Sequence, residues 1–158
     1  MRSTHQQRVD LFMKLAGQDV PKSPIIPDYE TRELRARLIL EESLETIKAL
    51  GFYIRVNDES IEINNVEFQE AFDVDLIEIA DGCADIKVVT TGTLTACGID
   101  DDELQTAVDL NNLNKFGPGG YRRDDGKWVK PPSHQPPNIK KIIEDQEKEF
   151  KRLEEMLE

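Results

Sequence analysis

Histidine occurs twice in these 158 residues, cysteine twice and tryptophan once, and aromatic residues make up only 6% of the chain. Two cysteines supply no disulfide framework; Cys83 and Cys97 both fall in an apolar helical run and read as buried thiols of a reducing compartment. No uncharged stretch reaches the ~18 residues of a membrane span, and no signal peptide opens the chain. A cytoplasmic protein with no membrane partner is the expectation. Basic residues are also scarce: 20 Lys and Arg face 32 Asp and Glu, for a formal net charge of −12. Such a chain repels polyanions, which excludes generic nucleic-acid binding. A phosphorylated ligand would need a mediating cation or a local concentration of bases. With 38% hydrophobic and 33% charged residues, the composition suits a helical protein with wet faces whose burial is completed by a partner subunit.

What is present is helical patterning. Ser3 or Thr4 can cap a first helix with Val9, Phe12, Met13 and Ala16 as its apolar face, stopped by Gly17. Pro21, Pro24 and Pro27 make the next segment an extended connector. A second helix is expected from about Glu30 to Leu50, ended by Gly51. The alternating residues 52–56 and 61–63, around Asn57–Ser60, predict a small β-hairpin. A third, strongly apolar helix spans about Phe72 to Cys97, and a fourth runs from near Asp101 to near Phe116. Residues 117–137, rich in Gly and Pro, read as a long loop. Asn138 can cap a last helix carrying Ile139, Ile142, Ile143, Phe150, Leu153 and Leu157. The whole is mainly α, a single domain of residues 1–158 with one hairpin.

Two acidic motifs stand out: Glu41-Glu42-Ser-Leu-Glu45 on the second helix and Glu78-Ile-Ala-Asp81 on the third. Glu41 and Glu45 lie ~40° apart and share a stripe with Leu34 and Leu38, while Glu78, Asp81 and Asp85 fall within ~60° on a helix apolar nearly all round. These faces want burial, yet a buried carboxylate without a partner is costly and like charges raise one another's pKa. Arg35, Arg37 and Lys48 could pair with some of the acids; one or two divalent cations would compensate the whole set more completely. Oxygen donors favour Mg²⁺, Mn²⁺ or Ca²⁺. Zinc sites use His or Cys, and a ferritin-like di-iron site needs Glu-x-x-His pairs, which His5 and His134 do not complete. Mg²⁺ is the best match, with Mn²⁺ as a substitute. The plain alternative is a set of surface acids paired along their helices, and Asp85 reads equally as a supporting acid or a salt-bridge partner.

A second cluster is basic. Lys115, Arg122, Arg123, Lys127 and Lys130 surround a Gly-rich segment, interleaved with Tyr121 and Trp128, and Asn111 stands one turn before Lys115. Such a set could clamp phosphates while a ring stacks on a base; otherwise it is a solvated loop balancing Asp124 and Asp125. His134, between prolines, reads as structural or exposed.

The pattern Glu41-Glu42-x-x-Glu45 followed by Glu78-x-x-Asp81 resembles the metal-binding signature of the all-α nucleotide pyrophosphohydrolases, which include MazG, dimeric dUTPases, dCTP pyrophosphatases and phosphoribosyl-ATP pyrophosphohydrolases. Residues 108–117, Asp125-Gly-Lys-Trp and the Pro-rich stretch to Ile139 also resemble the C-terminal part of phosphoribosyl-ATP-pyrophosphohydrolase-like proteins of bacteria and phages, so the resemblance covers about residues 30–140. It implies a helical bundle of that superfamily, assembled as a homodimer or homotetramer, that hydrolyses a nucleoside triphosphate to the monophosphate and pyrophosphate. It implies Glu42, Glu45, Glu78 and Asp81 as Mg²⁺ ligands, Glu41 as the base for the attacking water or a ligand to an extra metal, and Asn111, Lys115, Tyr121, Arg122, Arg123 and Lys130 as substrate-binding residues. The long spacer between the acidic motifs, and the chain's length, fit MazG-like members acting on deoxynucleotides such as dUTP better than a phosphoribosyl-ATP enzyme. Three further readings stay open: a phosphoribosyl-ATP pyrophosphohydrolase, a non-catalytic helical binding module, and a phosphohydrolase that removes only the terminal phosphate.

Overall fold

The computed structural model describes residues 1–57, 62–124 and 126–157. In chain order the elements are α1 (Thr4–Leu15), α2 (Tyr29–Ala49), β1 (Phe52–Val56), a 3-10 turn (Ile63–Asn65), β2 (Val66–Glu70), α3 (Leu76–Ala96), α4 (Asp101–Asn114), β3 (Tyr121–Arg122), β4 (Trp128–Val129) and α5 (Ile139–Glu155). The fold is mainly helical, as expected. Its chain contacts group into two compact units, one of residues 1–26 and 94–158, the other of residues 27–93. No helix among the described residues is long and apolar enough to cross a membrane.

In the first unit, the Ser3 hydroxyl caps α1 by accepting from the Gln6 N–H. Val9 and Met13 are buried as the periodicity predicts, whereas Phe12 is 62% exposed. The other buried positions of α1 are polar, and they are satisfied. Gln6 Nε2 donates to Ile99 O (2.8 Å) and Thr95 Oγ1 (3.3 Å), its Oε1 accepts from Asp101 N–H (2.9 Å), and the Thr95 hydroxyl donates to Asp10 (2.8 Å). Arg2 then bridges Asp10 and Asp100 at 2.6 and 2.9 Å. Low local dielectric makes such bonds strong and makes their loss costly. Gly98, with φ +67°, ends α3 where its backbone meets the Ser23 carbonyl, a position a β-carbon would overlap. Asn138 caps α5 by accepting from the Lys141 N–H, and the Gln146 amide grips both backbone groups of Asp100.

In the second unit, Asp28 caps α2 by accepting from Thr31 N–H (2.8 Å), and Gly51, with φ +91°, reverses the chain into β1. β1 pairs antiparallel with β2, Phe52 opposite Glu70 and Val56 opposite Val66. The hairpin is therefore present, but its second strand is 66–70, not 61–63. Val66-Glu-Phe-Gln-Glu also alternates, and pairing Phe68 beside Phe52 brings the rings edge to face at 6.2 Å. Residues 58–61, including Ile61 and most of the expected turn, lie outside the described residues. α3 begins at Leu76 rather than near Phe72, because Asp75 Oδ1 accepts from the Ile77 and Glu78 N–H groups and sets the start. Phe72 instead lies under the Lys48 ammonium, 5.6 Å from the ring centroid.

The expectation of a buried third helix is corrected. Val89 and Ala96 are buried, but Leu76 and Ile77 are 78% and 79% exposed, so the chain does not itself cover the start of α3. Cys83 is likewise exposed, not buried, Cys97 is half-buried, and among the described residues neither is in a disulfide.

Candidate active site

Both acidic motifs belong to the second unit. There α2 and α3 run antiparallel, tied at one end by the Asp75 N–H bonding Ala49 O (3.1 Å). About one turn back along α2 and two turns on along α3, Gly82 lies against Thr46. A β-carbon at 82 would overlap Thr46 Oγ1 and come within 3.2 Å of Thr46 Cβ, so only glycine permits this approach. Thr46 is itself buried, and its hydroxyl donates to Glu42 O at 2.8 Å. The approach sets Glu42 of α2 beside Asp81 and Asp85 of α3.

Glu42 is the focus. Partial burial and then the charges of Asp85, Glu45, Glu41 and Asp81 push its carboxyl above the usual range. Asp85, ambiguous from its spacing, is thus the carboxylate acting most strongly on Glu42. It occupies the next turn beyond Asp81, and only the helix-to-helix register could reveal its role. Glu78 is exposed, one turn before Asp81, and is not among the charges felt by Glu42.

The acids do not lie in a dry interior, as their stripes suggested. Glu41, Glu45, Glu78 and Asp81 are exposed, and Glu42 and Asp85 are half-buried. The physical reason is that neighbouring apolar residues Leu40, Leu44, Leu76 and Ile77 are exposed as well. Two of the three cations expected to pair with the acids are engaged otherwise: Arg37 bonds Glu33 at 2.6 Å, and Lys48 covers Phe72. Among the described residues, no three acids, histidines or cysteines stand close enough to hold a metal ion as they are placed. The donor chemistry nevertheless fits a hard cation. Every group is a carboxylate, the set repels itself at Glu42, and exposed Glu45 and Asp81 are free to change rotamer toward that focus.

The basic loop belongs to the first unit and is more ordered than its composition suggests. β3 and β4 form a two-residue hairpin with Tyr121 opposite Val129 and Arg122 opposite Trp128. Trp128 was a candidate for base stacking; instead it is half-buried, tilted on Phe116 at 5.0 Å, with its Nε1–H donating to Lys115 O at 2.5 Å. Tyr121, 58% exposed, is the ring left to meet a ligand. Arg122, Arg123 and Lys130 are exposed. Arg122 Nε donates to Gly126 O (3.4 Å), Lys115 Nζ to Asn112 Oδ1 (2.5 Å), and Asn111 Nδ2 to Gln135 O (2.6 Å).

The phosphoribosyl-ATP pyrophosphohydrolase family model matches residues 9–112, about two-thirds of the chain. No curated protein matches it. The matched span runs from within α1 through nearly all of α4, includes both acidic motifs and Asp85, and stops short of Lys115 and the loop. This removes the reading as a non-catalytic module and favours the phosphoribosyl-ATP type over a dUTP-cleaving relative. With five α-helices among the described residues and paired acidic motifs, the chain belongs to the phosphoribosyl-ATP pyrophosphohydrolase family, hydrolases of the all-α nucleotide pyrophosphatase fold that act on phosphoric anhydrides.

Proposed function

We propose that this chain hydrolyses the α–β phosphoanhydride of a phosphoribosyl-ATP-type nucleotide, releasing pyrophosphate and the corresponding monophosphate. The observation that carries the reading is the focus of four further carboxylates on Glu42, built by two antiparallel helices within the span that the family model matches. Glu42, Glu45, Glu78 and Asp81 would hold Mg²⁺, or Mn²⁺ in its place, which when bound neutralises the triphosphate and acidifies water. Glu41 takes the proton of the water that attacks phosphorus. Lys115, Arg122, Arg123 and Lys130 hold phosphate oxygens, and Tyr121 stacks on the base. Asn111, with one amide N–H given to Gln135 O, keeps its amide oxygen and its second N–H for substrate. The loop assignments rest on this chemistry alone, since the loop lies beyond the matched residues.

A deoxynucleoside triphosphate such as dUTP is the second reading, favoured by the β1–β2 hairpin that lengthens the spacer between the acidic motifs. We infer a homodimer or homotetramer, supported by the exposure of Leu40, Phe72, Leu76, Ile77 and Leu157. The test is pyrophosphate release, with Mg²⁺, from phosphoribosyl-ATP and from dUTP, dCTP, dTTP and the ribonucleotides. Release of orthophosphate alone, or no release from any of them, would overturn the reading; preference for dUTP would select the second one.

A further inference from the structure

The first unit holds a groove that is built by neither the acidic motifs nor the basic loop residues. It lies between α4 and the start of α5, within residues 103–145, and its volume is about 460 Å³, in the range of small-molecule pockets. Ala107, Leu110 and Asn114 form one stripe of α4 along it, with Asn111 beside them. Ile142 of α5 and Pro136 of the connector face that stripe. Ile142 is buried and Leu110 is 57% exposed, so the groove has an apolar floor that is open on one side.

Four carboxamides share these walls: Asn111, Asn114, Gln135 and Asn138. The Asn138 oxygen is used as the cap of α5. Asn111 Nδ2 donates to Gln135 O at 2.6 Å, which fixes its orientation and ties the connector to α4. Its amide oxygen and second N–H, and the side-chain amides of Asn114 and Gln135, bond nothing among the described residues. Among the described residues Lys141 is the one cation of the walls; it is paired with Asp145, and the charge of Glu103 reaches it from α4. Two acids against one engaged base disfavour a phosphate here. The walls suit a flat, uncharged body with neighbouring donors and acceptors along its edge, which is a nucleobase. Asn and Gln carboxamides match the N6 donor and N7 acceptor of adenine, whereas guanine is met by Arg or Lys.

We propose that this groove binds the adenine ring of a nucleoside, with the carboxamides of Asn111, Asn114 and Gln135 on the edge of the ring and Leu110, Ile142 and Pro136 against its faces. The α5 wall and the connector lie beyond the residues that the family model matches, and the site does not depend on the pyrophosphohydrolase reading. Two sources offer such a ring, the base of the substrate itself and a separate adenine nucleoside acting as effector.

Adenosine is the probe, because without phosphate it cannot be held through a metal or through the basic loop. In NMR titrations of nitrogen-labelled protein, adenosine should shift the side-chain amide signals of Asn111, Asn114 and Gln135. Guanosine, uridine and 7-deazaadenosine, which lacks the N7 acceptor, should each bind about tenfold more weakly. Asn114→Ala and Gln135→Ala, both at exposed positions, should each weaken adenosine about tenfold and leave Tm unchanged. Equal affinity for all the nucleosides, or no shift at these three amides, would overturn the site. Inhibition kinetics separate the two sources: adenosine competing with the nucleotide places the base of the substrate in the groove, and non-competitive inhibition or activation marks an effector. If wild type releases pyrophosphate while adenosine leaves the three amides unmoved, the groove falls and the pyrophosphohydrolase reading stands. If adenosine binds as described and no nucleotide is cleaved, that reading falls and the adenine site stands.

Discussion

Thr46 on α2 and Gly82 on α3 approach so closely that no β-carbon fits at position 82. This contact sets the register that puts Glu42 among the acids of α3. Gly82→Ala should therefore act on both stability and activity. Overpacking costs about 1–3 kcal/mol, which for a chain of this size lowers Tm by about 2–4 °C per kcal/mol. Thr46→Ala in the same chain removes the nearest atom and should restore part of both. An unchanged Tm in Gly82→Ala would show that the helices part without cost.

The raised carboxyl of Glu42 makes a pH prediction with a definite sign. The folded-state value lies above the unfolded one, so protonation favours the folded state. The repulsion is absent below the unfolded carboxylate value and grows as pH rises through the folded value. Metal-free protein should thus lose stability across that window. Like-charge neighbours cost about 0.2–0.5 kcal/mol each on helices, so four amount to about 1 kcal/mol. Glu42→Gln should then raise the metal-free Tm at neutral pH by about 2–4 °C. If the acids hold the metal as proposed, Mg²⁺ should raise the wild-type Tm and this substitution should abolish that gain. Melting curves with a chelator and with Mg²⁺ decide it, and a destabilised Glu42→Gln without metal would contradict the electrostatic account.

Glu45→Ala and Asp85→Asn separate the acid that the motif predicts from the one that the register adds. Supporting groups at metal sites are worth about 10–100-fold. Glu45→Ala should cost at least the upper end of that range in kcat/KM, and Asp85→Asn should fall within it, with the Mg²⁺ concentration for half activity raised. Full activity of Asp85→Asn would make its closeness to Glu42 incidental.

Arg2 offers a test away from any chemistry. Its guanidinium joins Asp10 and Asp100 with side chains that are 16%, 11% and 30% exposed. Arg2→Ala leaves the Asp10 carboxylate with Thr95 alone of these two partners, and stranding such a group costs about 1–3 kcal/mol. Thermal melts should show a Tm lowered by about 2–4 °C per kcal/mol, with kcat/KM near wild type. A loss no larger than that of Arg37→Ala, whose pair with Glu33 is exposed on α2, would place Arg2 among ordinary surface ions.

The elements themselves follow from local chemistry. Ser3, Asp28 and Asn138 cap the helices they precede, and Gly51 reverses the chain after α2, because caps and positive-φ turns act over three or four residues. The two acidic motifs, and their tie to this family, are equally local, being fixed by spacing along single helices. What spacing could not decide was burial, because exposure depends on what covers a face. The apolar face of α3 therefore pointed to a dry site, whereas Glu78 and Asp81 are exposed. The strand Val66–Glu70 was missed because two neighbouring segments alternate and only cross-strand pairing chooses between them. Only the tertiary structure brought Asp85 to Glu42, since electrostatic neighbours across 43 residues of chain are set by how helices pack.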